Sequence, residues 1–236
     1  MTLSLAGDFL LLCYEDESGK ASVDSTRLDI LVVTAALIDL CNQGILDIVN
    51  PDEGIKKQSF RLVGDLDSLE EPYRQLAEEA SGKKVKNVIT QMAGLSFNIT
   101  KGTRFRRALL ESLVNAQLLK PRDDVKVFGI FTSARYRSAD ENYEIALRSH
   151  LEKVLDGREE ASEHDVLLLS LVQASGVVHR IMPGRNPKEF AHRVEELGSS
   201  SAITQAGRRV MQQWQQFILA EFAAIFAASF VTTAVM

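Results

Sequence analysis

Residues 27–43, RLDILVVTAALIDLCNQ, are apolar on nearly every side of a helical wheel. Only Asp29, Thr34 and Asp39 interrupt the apolar body of that run. A surface helix shows one apolar stripe and one polar face. This pattern therefore predicts a helix enclosed by other helices, opened by the polar Asp24-Ser25-Thr26 and stopped at Asn42-Gln43-Gly44. Elsewhere the spacing is mostly helical and amphipathic. It predicts helices over AGDFLLLCYEDESG (6–19, with Asp8 as N-cap), 67–81, KKVKNVITQMAG (83–94) and GTRFRRALLESLVNAQLL (102–119). Further helices are expected over 140–157, 163–182, 187–198 and the C-terminal segment. Two short β-like runs, 44–49 and 58–64, flank a turn-rich NPDEGIKK and predict a hairpin, and VKVFGIF (125–131) is a third strand-like run. The fold class is mostly α with short β-hairpins.

A faint internal echo sets AALIDLCNQGIL (35–46) over ALLESLVNAQLL (108–119) at an offset of 73. Ala35/Ala108, Leu37/Leu110, Leu40/Leu113, Asn42/Asn115 and Leu46/Leu119 coincide. Each copy leads through a polar turn to a β-run, the order of elements in a winged helix, which raises nucleic-acid binding as the alternative function.

The composition, 45% hydrophobic and 25% charged, is that of an ordinary globular protein. No Pro- or Ser-rich linker divides the 236 residues, so one domain over 1–236 is expected. Cys13 and Cys41 sit in apolar surroundings without metal-ligand spacing and read as buried free thiols. The N-terminus lacks the basic region and cleavage site of a signal peptide. Phe217–Met236 carries one charge, Glu221, and reads as a buried final helix, with a tail anchor as the alternative.

No nucleotide-binding, nucleophile-elbow or zinc-protease motif occurs, so no catalytic residue and no cofactor is expected. His150, His164, His179 and His192 do not pair at helical spacing, which argues against a metal site. His179 reads as a packed or rim histidine, and Ser175-Gly176 as a bend or close helix contact. Glu70/Glu71 and Glu159/Glu160 read as solvated.

Charge distribution changes the picture. The chain carries −5 in total, which disfavours a general nucleic-acid binder. Yet residues 82–107 hold Lys83, Lys84, Lys86, Lys101, Arg104, Arg106 and Arg107 and no acid. The cluster KGTRFRR sits where a helix begins. Free backbone N–H groups and bidentate guanidinium groups there suit an anionic headgroup. The alternative is a solvated basic face. Phe105 either meets an acyl or base surface or points inward.

Several segments, in order, resemble the Golgi phosphoprotein 3 family. LAGDFLLLCYEDESGK is similar to its opening helix, and VDSTRLDILVVTAALIDLCNQGILDI to its next. FRRALLESLVNAQLL followed by VKVFGIF is similar to its helix and protruding hairpin, and DVLLLSLVQASGVVHRIMP to a late helix. The resemblance implies one compact, mostly α-helical domain, a central apolar helix bundle surrounded by amphipathic helices. It implies a non-enzymatic, peripherally membrane-associated cytoplasmic protein that binds phosphatidylinositol 4-phosphate and acts as an adaptor for glycosyltransferase tails. The family's headgroup pocket uses a Trp, an Arg in the apolar helix and two Arg three residues apart. These positions fall on Asp24, Val33, Thr103 and Arg106, so one of the four is kept. Such departures fit a bacterial member, and they replace lipid specificity with a looser attraction to anionic phospholipid surfaces. The expected headgroup site is Thr103, Arg104, Arg106 and Arg107. The family's hairpin implies that Val127, Phe128, Ile130 and Phe131 mediate self-association or membrane contact, the alternative being that they fold onto their own core.

Overall fold

The computed structural model describes residues 3–14, 18–50, 53, 57–93, 101–121, 135–199 and 218. Val127, Phe128, Ile130 and Phe131 therefore lie outside the described residues, as does the C-terminal segment apart from a buried, helical Ile218. The chain is mostly helical with two small antiparallel strand pairs. It divides into two compact units, Met1–Ile145 and Ala146–Met236.

At the centre of the first unit is α2 (Ser25–Asn42), the helix predicted from the apolar run. Every residue from Leu28 to Leu40 is buried. Around it pack α1 (Leu5–Cys13), α3 (Glu71–Ala80), α4 (Val85–Ala93) and α5 (Lys101–Asn115). Burying one Val, Leu or Ile side chain is worth about 1.5–3 kcal/mol, so a helix with no polar face is the element that four neighbours can share. Its start is capped by Asp24, whose carboxylate accepts from the Arg27 N–H at 2.9 Å.

The three polar residues inside α2 are each satisfied, as buried polar groups must be. The Thr34 hydroxyl donates to the Ile30 carbonyl at 2.9 Å. Asp39 accepts from the backbone N–H of Leu5 (2.9 Å) and of Ala6 (3.2 Å) and from the Tyr73 hydroxyl (3.2 Å). A carboxylate from one helix thus sits on the positive N-terminal end of another. Asp29 is satisfied by α5, described below. The N-cap of α1 is Ser4, which accepts from Gly7 N–H at 3.1 Å. Asp8, expected in that role, is instead buried within the helix and accepts from the Tyr143 hydroxyl at 2.8 Å.

The predicted first hairpin forms. Strands β1 (Leu46–Val49) and β2 (Ser59–Leu62) pair antiparallel, with Leu46 opposite Leu62 and Val49 opposite Ser59. The internal echo is visible in the backbone. α2 ends with N–H of Gly44 on the Cys41 carbonyl (3.0 Å) and N–H of Ile45 on that of Leu40 (2.9 Å). At the offset of 73, α5 ends with N–H of Gln117 on Val114 (3.0 Å) and N–H of Leu118 on Leu113 (2.9 Å). Both are left-handed Schellman caps, with φ of 69° at Gly44 and 59° at Gln117. Each then enters a hairpin. The second pairs β3 (Leu119–Pro121) with β4 (Tyr136–Ser138), Leu119 opposite Ser138.

Helix α6 (Glu141–Leu155) runs from the first unit into the second. In the second unit, α7 (Glu163–Ser175) is buried from Asp165 to Val172 and opens with a capping box between Ser162 and Asp165. The helix expected over 163–182 is broken. Gly176, at φ 71°, caps α7 in the left-handed region, and the short α8 (Val178–Ile181) follows. Ser175 makes the bend with its hydroxyl on the Val172 carbonyl at 2.6 Å and the Val177 N–H on its oxygen at 3.2 Å. Helix α9 (Pro187–Gly198), capped by Asn186, packs Phe190, Val194 and Leu197 into this unit beside α7.

Candidate functional site

Helical geometry turns each residue by about 100°, and along the first turns of α5 that rotation separates the predicted site residues. Thr103 and Arg106, three apart, face α2. Arg106 Nε lies 2.5 Å from Asp29 Oδ1, and the Thr103 hydroxyl donates to Asp29 Oδ2 at 2.5 Å. The guanidinium also donates to Ser25 Oγ at 2.9 Å and to the Tyr14 hydroxyl at 3.4 Å. Little of this reaches solvent: the side chains of Arg106 and Asp29 are 13% and 4% exposed. Burial opposes the charge on Arg106, but the Asp29 carboxylate outweighs it, and the guanidinium pKa ends above its ordinary value. Burial likewise raises the Tyr14 hydroxyl, only partly offset by Arg106. Tyr14 in turn meets the ring of Tyr136 edge-on, 5.4 Å between centroids at 78°.

Arg104 faces the other way. It is exposed, and with Lys101 it borders a cleft between α3 and α5. Lys101 is held by Glu79 at 2.7 Å. Phe105 points inward at 7% exposure and meets Tyr73 edge-on, 5.7 Å between centroids at 79°. Arg107 is exposed on a third side of the helix. The structure thus joins Thr103 to Arg106 through Asp29 and does not bring Arg104 or Arg107 to the same point. Of the other cations in the acid-free stretch, Lys83 and Lys84 are exposed at the start of α4.

Asp29, Ser25, Tyr14 and Tyr136 are the residues that sequence reasoning missed. A signal existed for one of them: an Asp inside an otherwise apolar helix demands a cation, because an unpaired buried charge is costly. The corresponding signal for His150 is absent from its local sequence. Its two ring nitrogens face Glu159 (2.7 Å) and Asp165 (3.0 Å), and Lys153 holds Glu159 at 2.7 Å. Glu159 is therefore an engaged group; Glu70 and Glu71 are exposed but accept from Ser112 (2.9 Å) and Gln75 (2.8 Å), and Glu160 is exposed. His179, expected to be packed or at a rim, is exposed on α8. Cys13 is buried and Cys41 half-buried, and burial with the charge of Asp47 pushes the Cys41 thiol up to about 12. Among the described residues no group of three or more His, Cys, Asp or Glu is placed to hold a metal ion. No described helix is long and apolar enough to cross a membrane.

The Golgi phosphoprotein 3 (GPP34) family profile matches residues 5–214. The chain belongs to the Golgi phosphoprotein 3 family. A search of curated proteins finds no match. Family membership suggests a lipid-binding or adaptor role, and the family is not known as one of enzymes. Of the four positions expected from the resemblance to line a headgroup pocket, Asp24 caps α2 and contacts Arg27 at 3.6 Å. Val33 is fully buried, and Thr103 and Arg106 are both turned onto Asp29.

Proposed function

We propose that this Golgi phosphoprotein 3 family member is a non-enzymatic adaptor that docks reversibly on anionic phospholipid surfaces. It would do so through exposed cations, without a selective pocket for phosphatidylinositol 4-phosphate. The observation that carries the reading is the exposure of Lys83, Lys84, Arg104 and Arg107, all from one stretch with no acid on a chain of net charge −5. A Lys or Arg near an anionic surface contributes about 1 kcal/mol. Four of them support weak attachment that salt screens within about 10 Å at 0.1 M.

Arg106 and Thr103 are excluded from that count on energetic grounds. For Arg106 to take a phosphate it must release Asp29, and stripping one partner from a buried ion pair costs about 3–5 kcal/mol. A phosphate brought in beside Asp29 would instead place two like charges together. The first cost is at least the about 1.5–3 kcal/mol that a charge-assisted hydrogen bond returns. The residues expected at the family pocket then serve the fold, and docking is left to the exposed cations.

The test is flotation with vesicles of neutral lipid, of neutral lipid plus phosphatidylserine, and of neutral lipid plus phosphatidylinositol 4-phosphate at matched charge. The proposal expects binding that follows vesicle charge and falls with salt. Equal binding to neutral vesicles at every salt concentration rejects the charge mechanism. Strong preference for the phosphoinositide at matched charge rejects the loss of selectivity. Salt-dependent retention on DNA with no vesicle binding favours the winged-helix alternative, which the paired helix, Schellman cap and hairpin motivate.

A further inference from the structure

The cleft between α3 and α5 is unused by the membrane half of this proposal. Pro72, Leu76, Phe105 and Ala108 give it an apolar lining, and its volume is about 130 Å³. A cavity of about 150 Å³ with apolar walls accepts benzene, so this cleft is of a size to take a single large apolar side chain. Its floor is rigid: Leu76 is 2% exposed, and Phe105 is braced edge-on by Tyr73. Its rim is polar and unequal. Glu79 and Lys101 neutralise each other at 2.7 Å, whereas Arg104 is exposed at the edge.

An apolar hole with one available guanidinium at its lip is complementary to a peptide in which a carboxylate neighbours a large apolar side chain. We propose that this cleft is a protein-partner site that takes one leucine- or phenylalanine-sized side chain of an acidic peptide segment, with Arg104 binding the adjacent carboxylate. Arginine suits the second role because its fork engages both carboxylate oxygens. Apolar burial supplies an anchor and the charge supplies direction, the division of labour usual at small recognition sites. The inference rests on the adaptor half of the preceding proposal and shares only Arg104 with membrane docking.

The experiment measures fluorescence anisotropy of a labelled synthetic peptide with leucine flanked by glutamates, titrated with the full chain to about 1 mM. Two control peptides replace the leucine by alanine or the glutamates by glutamine. The chain variants are Ala108→Trp, which fills the cleft and leaves every charge in place, and Arg104→Glu at an exposed position. The proposal expects saturable binding of the leucine–glutamate peptide, at least tenfold weaker with either control peptide and with either variant. Ala108→Trp should float on anionic vesicles as the wild type does, which separates this inference from the docking proposal. Should Ala108→Trp fail to fold by circular dichroism, Arg104→Glu and the control peptides decide the matter. Absence of saturable binding by the wild type, or equal affinity for all three peptides, overturns the site. Loss of vesicle binding by a folded Ala108→Trp, without peptide binding, assigns the cleft to the membrane and overturns it too.

Discussion

Asp29 of α2 neutralises Arg106 of α5 across 2.5 Å, with 4% and 13% of the two side chains open to solvent. An aspartate within an apolar helix thereby engages the one arginine expected from the resemblance at a headgroup pocket, and it takes Thr103 with it.

This pairing predicts strong non-additivity. Asp29→Ala or Arg106→Ala alone should lower unfolding free energy by about 3 kcal/mol, the lower end for a buried pair because Arg106 keeps some exposure. The double substitution Asp29→Ala with Arg106→Ala should cost much less than the two single changes together. Urea denaturation of the four species measures the coupling. Additive costs would show that the two groups do not depend on each other.

Vesicle docking should follow exposure along α5. Arg104→Ala and Arg107→Ala should each weaken attachment to phosphatidylserine vesicles by about fivefold at low salt, the equivalent of about 1 kcal/mol per cation. Arg106→Ala should leave attachment nearly unchanged when corrected for folded protein. A larger loss from Arg106 than from Arg104 and Arg107 would falsify the assignment of Arg106 to the fold.

His150 predicts a pH-dependent contribution to stability. Burial disfavours its charge, but the hydrogen bonds its ring N–H groups donate to Glu159 and then Asp165 outweigh that, so its pKa rises above 6.5 in the folded chain. Lys153 shares Glu159 with the ring at 2.7 Å. A raised folded-state pKa means that protonated His150 stabilises the fold fully below the unfolded value of 6.5. The contribution is lost as pH rises through the folded-state value. The stability difference between wild type and His150→Gln should be largest at about pH 5.5 and shrink by about pH 9. Its ring is 39% exposed, so the effect is modest and salt-sensitive. NMR titration of the ring protons gives the pKa directly, and a midpoint at or below 6.5 counts against the network.

Gly64 predicts a steric penalty. A Cβ there would meet the Gly44 carbonyl oxygen at 2.7 Å and the Ile45 Cα at 2.8 Å, both main-chain atoms. The N–H groups of Val63 and Gly64 share the Ile45 carbonyl at 3.0 and 3.1 Å, so the strand cannot simply retreat. Gly64→Ala should cost about 1–3 kcal/mol and lower the thermal midpoint. Gly82→Ala, where nothing lies within 4 Å of the added carbon but φ is 72°, isolates the cost of backbone conformation for comparison.

Much of the fold was legible in residue order because it depends on local spacing. An apolar residue at every position from Leu28 to Leu40 but three requires enclosure, whichever helices supply it. The echo between 35–46 and 108–119 marked two helices that end in the same cap, since cap geometry is set by a handful of neighbouring residues. Boundaries were read less well at Ser4 and Gly176. There an uncharged cap and a left-handed bend decided the ends, against a nearby acid and a continuous apolar pattern.

The charges are the opposite case. KGTRFRR announces a basic helix start, but whether each cation is free depends on what the tertiary fold sets beside it. Asp29 lies 77 residues from Arg106, Ser25 lies 81 from it, and Glu79 lies 22 from Lys101. No local periodicity encodes such pairings. Sequence alone determined that this chain is built round a buried helix and carries one basic stretch free of acids. Packing alone decided that Asp29 claims Arg106, leaving Arg104 and Arg107 to face solvent on different sides, because a buried carboxylate takes whatever cation the fold delivers to it.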